Sequence, residues 1–146
     1  MAGRLPIARF RSLCPLFGDR AELAGVAGID ARGFVLASVM AYQLDRGLIL
    51  VRKEGRLPAQ CEGESYDLEY GTARLEIHSD AVKKGQRVLI IDDLLATGGS
   101  AAATARILER LGATVAGFGF MIELKGLNGR KALGDNKDVF SLLTYD

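Results

Sequence analysis

Val88-Leu89-Ile90-Ile91-Asp92-Asp93-Leu94-Leu95-Ala96-Thr97-Gly98-Gly99-Ser100 carries both the fold and the chemistry of this chain in one string. Val88 to Ile91 is a short, branched, continuous apolar run, the pattern of a strand buried on both faces of a sheet. Asp92 and Asp93 stand where that strand emerges, a loop of small residues follows, and a helix begins at Ser100. Ala103, Ile107, Leu108 and Leu111 share one face of that helix, which Gly112 closes. Gly98 and Gly99 let backbone N–H groups turn toward an anion with no Cβ in the way. Thr97 and Ser100 add hydroxyls, and the helix N-terminus adds partial positive charge. Ala96 to Ser100 therefore reads as a pocket for a phosphate monoester. Ionised carboxylates only accept hydrogen bonds, so Asp92 and Asp93 repel phosphate and suit a pair of vicinal hydroxyls. Phosphate on one side and a diol on the other describe a ribose 5-phosphate. Other nucleotide motifs drop out: there is no G-x-x-x-x-G-K-[ST], and no G-x-G-x-x-G follows a strand.

Outward from this string, strands and helices alternate. Leu23 to Ile29 predicts a strand, Asp30 to Gly33 a loop, and Phe34 to about Arg46 a helix stopped by Gly47. Leu48 to Val51 predicts a second buried strand. Arg52 to Gly71 is polar, with several glycines and acidic residues, and is expected as a long loop of the kind found in lids and binding loops. Ala73 to Ser79 alternates as a half-exposed strand does, and Lys83-Lys84-Gly85 turns the chain into the Val88 run. Thr114 to Leu124 and Val139 to Tyr145 supply further strands. The expected fold is α/β: a mostly parallel twisted sheet flanked by helices, with its ligands at the carboxyl ends of the strands.

The chain has 146 residues, 49% of them hydrophobic, which is enough for one domain with a real core. Charges make up 25% and nearly cancel at +1, so neither nucleic acid nor an anionic membrane surface is an expected partner. Cys14 and Cys61 show no metal or redox spacing, and no run approaches a membrane span, so a cytoplasmic location is expected. His78, the single histidine, lies in an alternating strand and reads as structural.

The string Val88 to Ser100 resembles the binding motif for phosphoribosyl pyrophosphate (PRPP) of the type I phosphoribosyltransferases. The resemblance continues through Ile29-Asp30-Ala31-Arg32-Gly33-Phe34, Val51-Arg52-Lys53-Glu54-Gly55-Arg56-Leu57-Pro58, Ser65-Tyr66-Asp67-Leu68-Glu69-Tyr70-Gly71 and Phe140-Ser141-Leu142-Leu143-Thr144-Tyr145. The second and third of these point to the adenine branch of the family. The resemblance implies a core domain over 23–146 with a flexible loop at about 54–71, and a short hood segment over 1–22. It implies purine salvage, with PRPP and adenine converted to AMP and pyrophosphate.

Residue by residue, it implies that Asp92 and Asp93 hold the ribose hydroxyls and that Ala96, Thr97, Gly98, Gly99 and Ser100 wrap the 5-phosphate. Arg32 binds pyrophosphate beside a cis non-proline peptide, assisted by Arg52 and Lys53. Glu69 and Tyr70 lie at the end of the closing loop, with Glu69 and Arg32 as catalytic residues. Magnesium is expected, bound mainly through PRPP or pyrophosphate oxygens and water, with no metal ligand assigned to the protein. Phe10 to Phe17 resembles the end of the hood motif, with Ser12 where the family has aspartate, and the chain reaches Leu23 about a helix sooner than its relatives. Arg9, Phe10 and Arg11 are the expected cover of the base, with Leu124 on its other side. A missing packing helix leaves apolar surface that a homodimer buries. Two further readings share these residues: another purine as acceptor, or a PRPP- or nucleotide-binding regulator without turnover.

Overall fold

The alternating apolar runs assemble into a seven-stranded sheet of order β3-β4-β2-β1-β5-β6-β7. The computed structural model describes residue 12 and residues 22–146. Its elements are β1 (Leu23–Ile29), α1 (Arg32–Leu44), β2 (Gly47–Lys53), β3 (Cys61–Asp67), β4 (Thr72–His78), β5 (Arg87–Leu95), α2 (Gly99–Arg110), β6 (Thr114–Leu124), a 3-10 turn (Lys125–Leu127), α3 (Gly129–Leu133) and β7 (Val139–Tyr145). The β2-β1-β5-β6-β7 strands are parallel, whereas β3 and β4 add an antiparallel pair at one edge. The expected mostly parallel sheet flanked by helices is present.

Side chains alternate across the sheet and give it two apolar layers. On one face Leu23, Val26, Leu89 and Ile91 pack against Leu36, Met40 and Leu44 of α1. On the other, Ala27, Ile29, Val88, Ile90, Phe118 and Phe120 pack against Ala101, Ile107 and Leu108 of α2 and Leu133 of α3. Central strands buried on both faces account for the continuous apolar runs that made them visible in the sequence.

Several boundaries differ from expectation: Arg32 and Gly33, expected in a loop, open α1, β2 runs on to Lys53, and three further differences have a visible cause. Helix α1 ends at Leu44 rather than near Arg46, because Asp45 takes a left-handed conformation and Arg46 N–H closes on Ala41 O at 2.9 Å. Strand β5 runs past Ile91 to Leu95, paired with β6 through Asp92↔Phe120 and Leu94↔Ile122, so both aspartates sit on a strand rather than in a loop. The segment expected as a loop over 54–71 contains β3, which forms a hairpin with β4 from Cys61↔His78 to Asp67↔Thr72.

Strand β3 was hidden by its polarity, and that polarity has a partner. Glu62, Glu64 and Tyr66 share one face of the strand, and that face meets α2. Arg106 Nε donates to Glu64 Oε1 at 2.8 Å, Arg110 Nη1 to Glu64 Oε2 at 2.5 Å, and Arg110 Nε to Glu62 Oε2 at 3.3 Å. Arg110 Nη2 also donates to Gly63 O at 2.7 Å. Two arginines one helical turn apart thus meet two glutamates one strand repeat apart, and charge does the matching that apolar residues do elsewhere in the sheet. Arg110 first, then Arg106, holds the Glu64 carboxyl below its ordinary range.

The hood segment expected over 1–22 lies outside the described residues, apart from Ser12 and Glu22. Among the described residues, no helix is long and apolar enough to cross a membrane.

Candidate active site

Parallel pairing of β1, β2 and β5 brings their carboxyl ends to one sheet edge, with Ile29 beside Val51 and Gly28 beside Ile91. The residues that follow, Asp30 to Arg32, Lys53, Asp92 and Asp93, line one cleft of about 400 Å³ together with Tyr66, Ala96 and Ser100. The two aspartates have different surroundings within it. Asp92 Oδ1 accepts the Asp93 backbone N–H at 2.8 Å, and a Cβ on Gly33 would stand only 2.9 Å from the same oxygen. Burial pushes the Asp92 carboxyl up to about 8; the Asp93 N–H and the Arg32 charge oppose that rise, while the Asp93 charge adds to it. Asp93 instead accepts a hydrogen bond from Arg32 Nε, and this pairing raises the Arg32 guanidinium above its ordinary value.

The Asp30–Ala31 peptide is cis, as the resemblance implies for the Arg32 loop. Behind it the Asp30 side chain is 5% exposed and faces Arg52 Nε at 3.5 Å and Arg56 Nη1 at 3.9 Å. Arg52 Nη1 also donates to Arg56 O at 3.2 Å. The structure therefore brings Arg32 and Lys53 to the cleft, while Arg52 turns to Asp30 and braces the loop from behind.

The loop Ala96 to Ser100 lines a second, adjoining cleft of about 710 Å³. Gly98 has φ 82°, a left-handed conformation that glycine adopts without a Cβ penalty, and it caps α2. Across this cleft stand Tyr66, Asp67, Leu68 and Glu69 from the end of β3 and the turn after it. Glu69 thus lines the same cleft as the Ala96–Ser100 loop, whereas Tyr70 does not line it and is 88% exposed. Leu127, in the 3-10 turn after β6, lines this cleft with Phe120, and Leu124 does not. Arg9, Phe10 and Arg11 lie outside the described residues.

Sequence reasoning missed three contributors. Tyr66 lines both clefts and packs on the core, but it lies in a strand too polar to read as one. Asp30 read as a loop residue, although a carboxylate directly after a buried strand and two residues before an arginine is a signal of a built turn. Leu127 stands alone among polar neighbours, and nothing in the sequence marks it.

Fold and site together define an α/β domain in which a carboxylate pair adjoins a glycine-rich helix start at one sheet edge. Comparison with known proteins agrees: residues 20–144 match the family described as the phosphoribosyl transferase domain. The chain is 52% identical over 125 residues to an adenine phosphoribosyltransferase of Synechococcus sp., covering 86% of this chain and 72% of that protein. The crystal structure of adenine phosphoribosyltransferase from Rhodothermus marinus superposes with a TM-score of 0.87 at 47% identity, covering 95% of this chain and 77% of that one. The Saccharomyces cerevisiae enzyme, solved with an iminoaltritol bisphosphate and adenine, gives a TM-score of 0.86 at 38% identity, covering 94% and 77%. The chain belongs to the phosphoribosyltransferase family, and within it to the adenine phosphoribosyltransferases.

Proposed function

We propose that this chain transfers the 5-phosphoribosyl group of PRPP to adenine, giving AMP and pyrophosphate, as an enzyme of purine salvage. The observation that carries this reading is the single sheet edge on which the Asp92–Asp93 pair adjoins the Ala96–Ser100 loop, with Glu69 across the cleft.

The loop backbone and the start of α2 hold the 5-phosphate, with Thr97 and Ser100 hydroxyls in support. The ribose diol meets two unlike carboxyls. Asp92, with its proton held up to about 8, donates to one hydroxyl oxygen near neutral pH, while Asp93 accepts from the other. Arg32 and Lys53 neutralise the pyrophosphate, which leaves as the bond from the anomeric carbon to its oxygen breaks. The adenine nitrogen forms the new bond to that carbon and gives up its proton. Glu69 stabilises the oxocarbenium-like charge that develops between the two events, or takes that proton. Closure of the turn carrying Glu69 and Tyr70 keeps water from the anomeric carbon.

In this reading magnesium comes with the substrate, and Arg32 and Lys53 in the cleft share with it the charge of the pyrophosphate. The ion offsets the charge of the leaving pyrophosphate when bound, held mainly by pyrophosphate oxygens and water. Arg9, Phe10 and Arg11 of the hood segment cover the base, and Leu127, which lines the cleft where Leu124 does not, takes the place expected of Leu124 beneath it. The division into a hood over 1–22 and a core over 23–146, a homodimer and a cytoplasmic location belong to the same reading. Val35, Tyr42, Leu48 and Leu50, all exposed around α1 and β2, support the homodimer.

The test is an assay with PRPP and each of adenine, hypoxanthine, guanine and xanthine, with and without magnesium, following nucleotide and pyrophosphate together. AMP formed only from adenine, equimolar with pyrophosphate and abolished by a chelator, is the expected result. Binding of PRPP with no product from any base would sink the enzyme reading.

A further inference from the structure

The carboxyl end of β6 carries an ion pair, a buried carboxylate held by a half-exposed arginine, that the reaction does not use. The Glu123 side chain is only 8% exposed. Arg130 of α3 grips it with a fork, Nε to Oε1 at 2.7 Å and Nη2 to Oε2 at 2.7 Å. Ser141 Oγ of β7 donates to the same Oε2 at 2.7 Å, and Arg130 Nη1 donates to Val139 O at 2.9 Å. One guanidinium thereby ties α3 to both β6 and β7. Helix α3 has five residues, too few to hold a position by its own hydrogen bonds, and its other anchor is Leu133 in the core.

The residue before Arg130 is pressed against the phosphate loop. A Cβ on Gly129 would lie 2.3 Å from Ala96 O and 2.8 Å from Leu95 Cδ1. A Cβ on Gly98 would lie 2.4 Å from Gly129 O and 3.0 Å from Ala132 Cβ. The backbones of α3 and the loop are thus in contact from both sides, with no flexible side chain between them to absorb a shift. Wherever Arg130 holds Gly129, the loop from Ala96 to Gly98 must follow.

We infer that the Glu123–Arg130–Ser141 cluster is a positioning device for the 5-phosphate loop, so that Arg130 sets affinity for the phosphorylated ribose without touching it. This rests on the proposed function for its kinetic consequence, while its binding consequence stands apart from turnover. Neither Glu123 nor Arg130 lines the loop cleft, so both are positioning residues.

The test compares wild type with Arg130→Met, which keeps the apolar stem and loses the fork, and with Arg130→Lys, which keeps only the charge. Calorimetry reads the Kd for ribose 5-phosphate, and steady-state kinetics vary PRPP and adenine separately. Displacing a binding loop by a fraction of an ångström is expected to raise the Kd for ribose 5-phosphate and the KM for PRPP by about tenfold in Arg130→Met, with the lysine variant intermediate. The KM for adenine stays within about twofold. A loss confined to Vmax, with Kd and both KM values unchanged, is what fewer folded molecules would give, and it would overturn the inference. If Arg130→Met fails to fold, Ser141→Ala removes one bond to Glu123 and keeps the ion pair, and a Kd equal to wild type in that variant overturns it as well. Wild type that binds ribose 5-phosphate but forms no AMP would remove the enzyme reading, and the calorimetric comparison would still decide this one.

Discussion

Replacing Asp92 by asparagine should change how stability depends on pH before it changes anything about the fold. The amide has the shape of the carboxyl and its oxygen can still accept the Asp93 N–H, which lies at 2.8 Å in the parent. What it removes is a titration. Burial raises the Asp92 carboxyl from 3.8 to about 8, so between those values the folded chain keeps a proton that the unfolded chain has lost. Stability therefore falls as pH rises through that window, by about 1.4 kcal/mol for each pH unit in which the difference is complete. Between about pH 5 and about pH 7 the parent is expected to lose about 2–3 kcal/mol relative to Asp92→Asn, with the difference levelling off above about pH 8. Titrating groups remote from Asp92 are common to both chains and cancel in the comparison, which therefore reads Asp92 together with its charged neighbours Asp93 and Arg32. Urea unfolding of the two proteins without ligand, at four pH values across this range, reads the difference directly. Parallel stability curves would refute the claim that Asp92 is held protonated by its surroundings. A gap that widens toward acid pH would reverse its sign.

Two further expectations concern the loop and the reaction. Gly98→Ala places a side chain at φ 82° and 2.4 Å from the Gly129 carbonyl, so it should cost about 2–4 kcal/mol in thermal or urea unfolding and weaken ribose 5-phosphate binding; unchanged stability would mean the two backbones are not in contact. Asp93→Asn should raise the KM for PRPP as well as lower kcat, while Glu69→Gln should mainly lower kcat. Steady-state kinetics separate the two, and full activity in both variants would remove them from the site.

The parts of this protein legible from sequence are those where one residue type does one job. Val88 to Ile91 reads as a strand because both its faces are buried, and the aspartates and glycines after it read as a site because few structures need that order of residues. Strand β3 was illegible for the converse reason. Its inner face is Glu62, Glu64 and Tyr66, and the complement that partly covers those residues, Arg106 and Arg110, lies more than forty residues further on. The unlike surroundings of Asp92 and Asp93 were equally hidden, since the burial of Asp92 beside Gly33 and the pairing of Asp93 with Arg32 exist only once the chain is folded. Arg52 read as a ligand-facing cation because its partner, Asp30, is brought to it only by the parallel pairing of β1 and β2.

The ion pairs between β3 and α2 tie together two walls that chemistry must bring into register. Helix α2 begins at the phosphate loop, and its last turns grip the strand that leads to Glu69. The helix is therefore a rigid ruler, about 18 Å long at the usual rise per residue, with the Ala96–Ser100 loop at one end and the hairpin's anchor at the other. The grip is made of half-exposed charges rather than packed methyl groups, so salt can loosen it while the core stays intact. The wall that carries Glu69 thus has a joint to α2 whose tightness the solvent sets, while α2 itself is fastened to the sheet by the core.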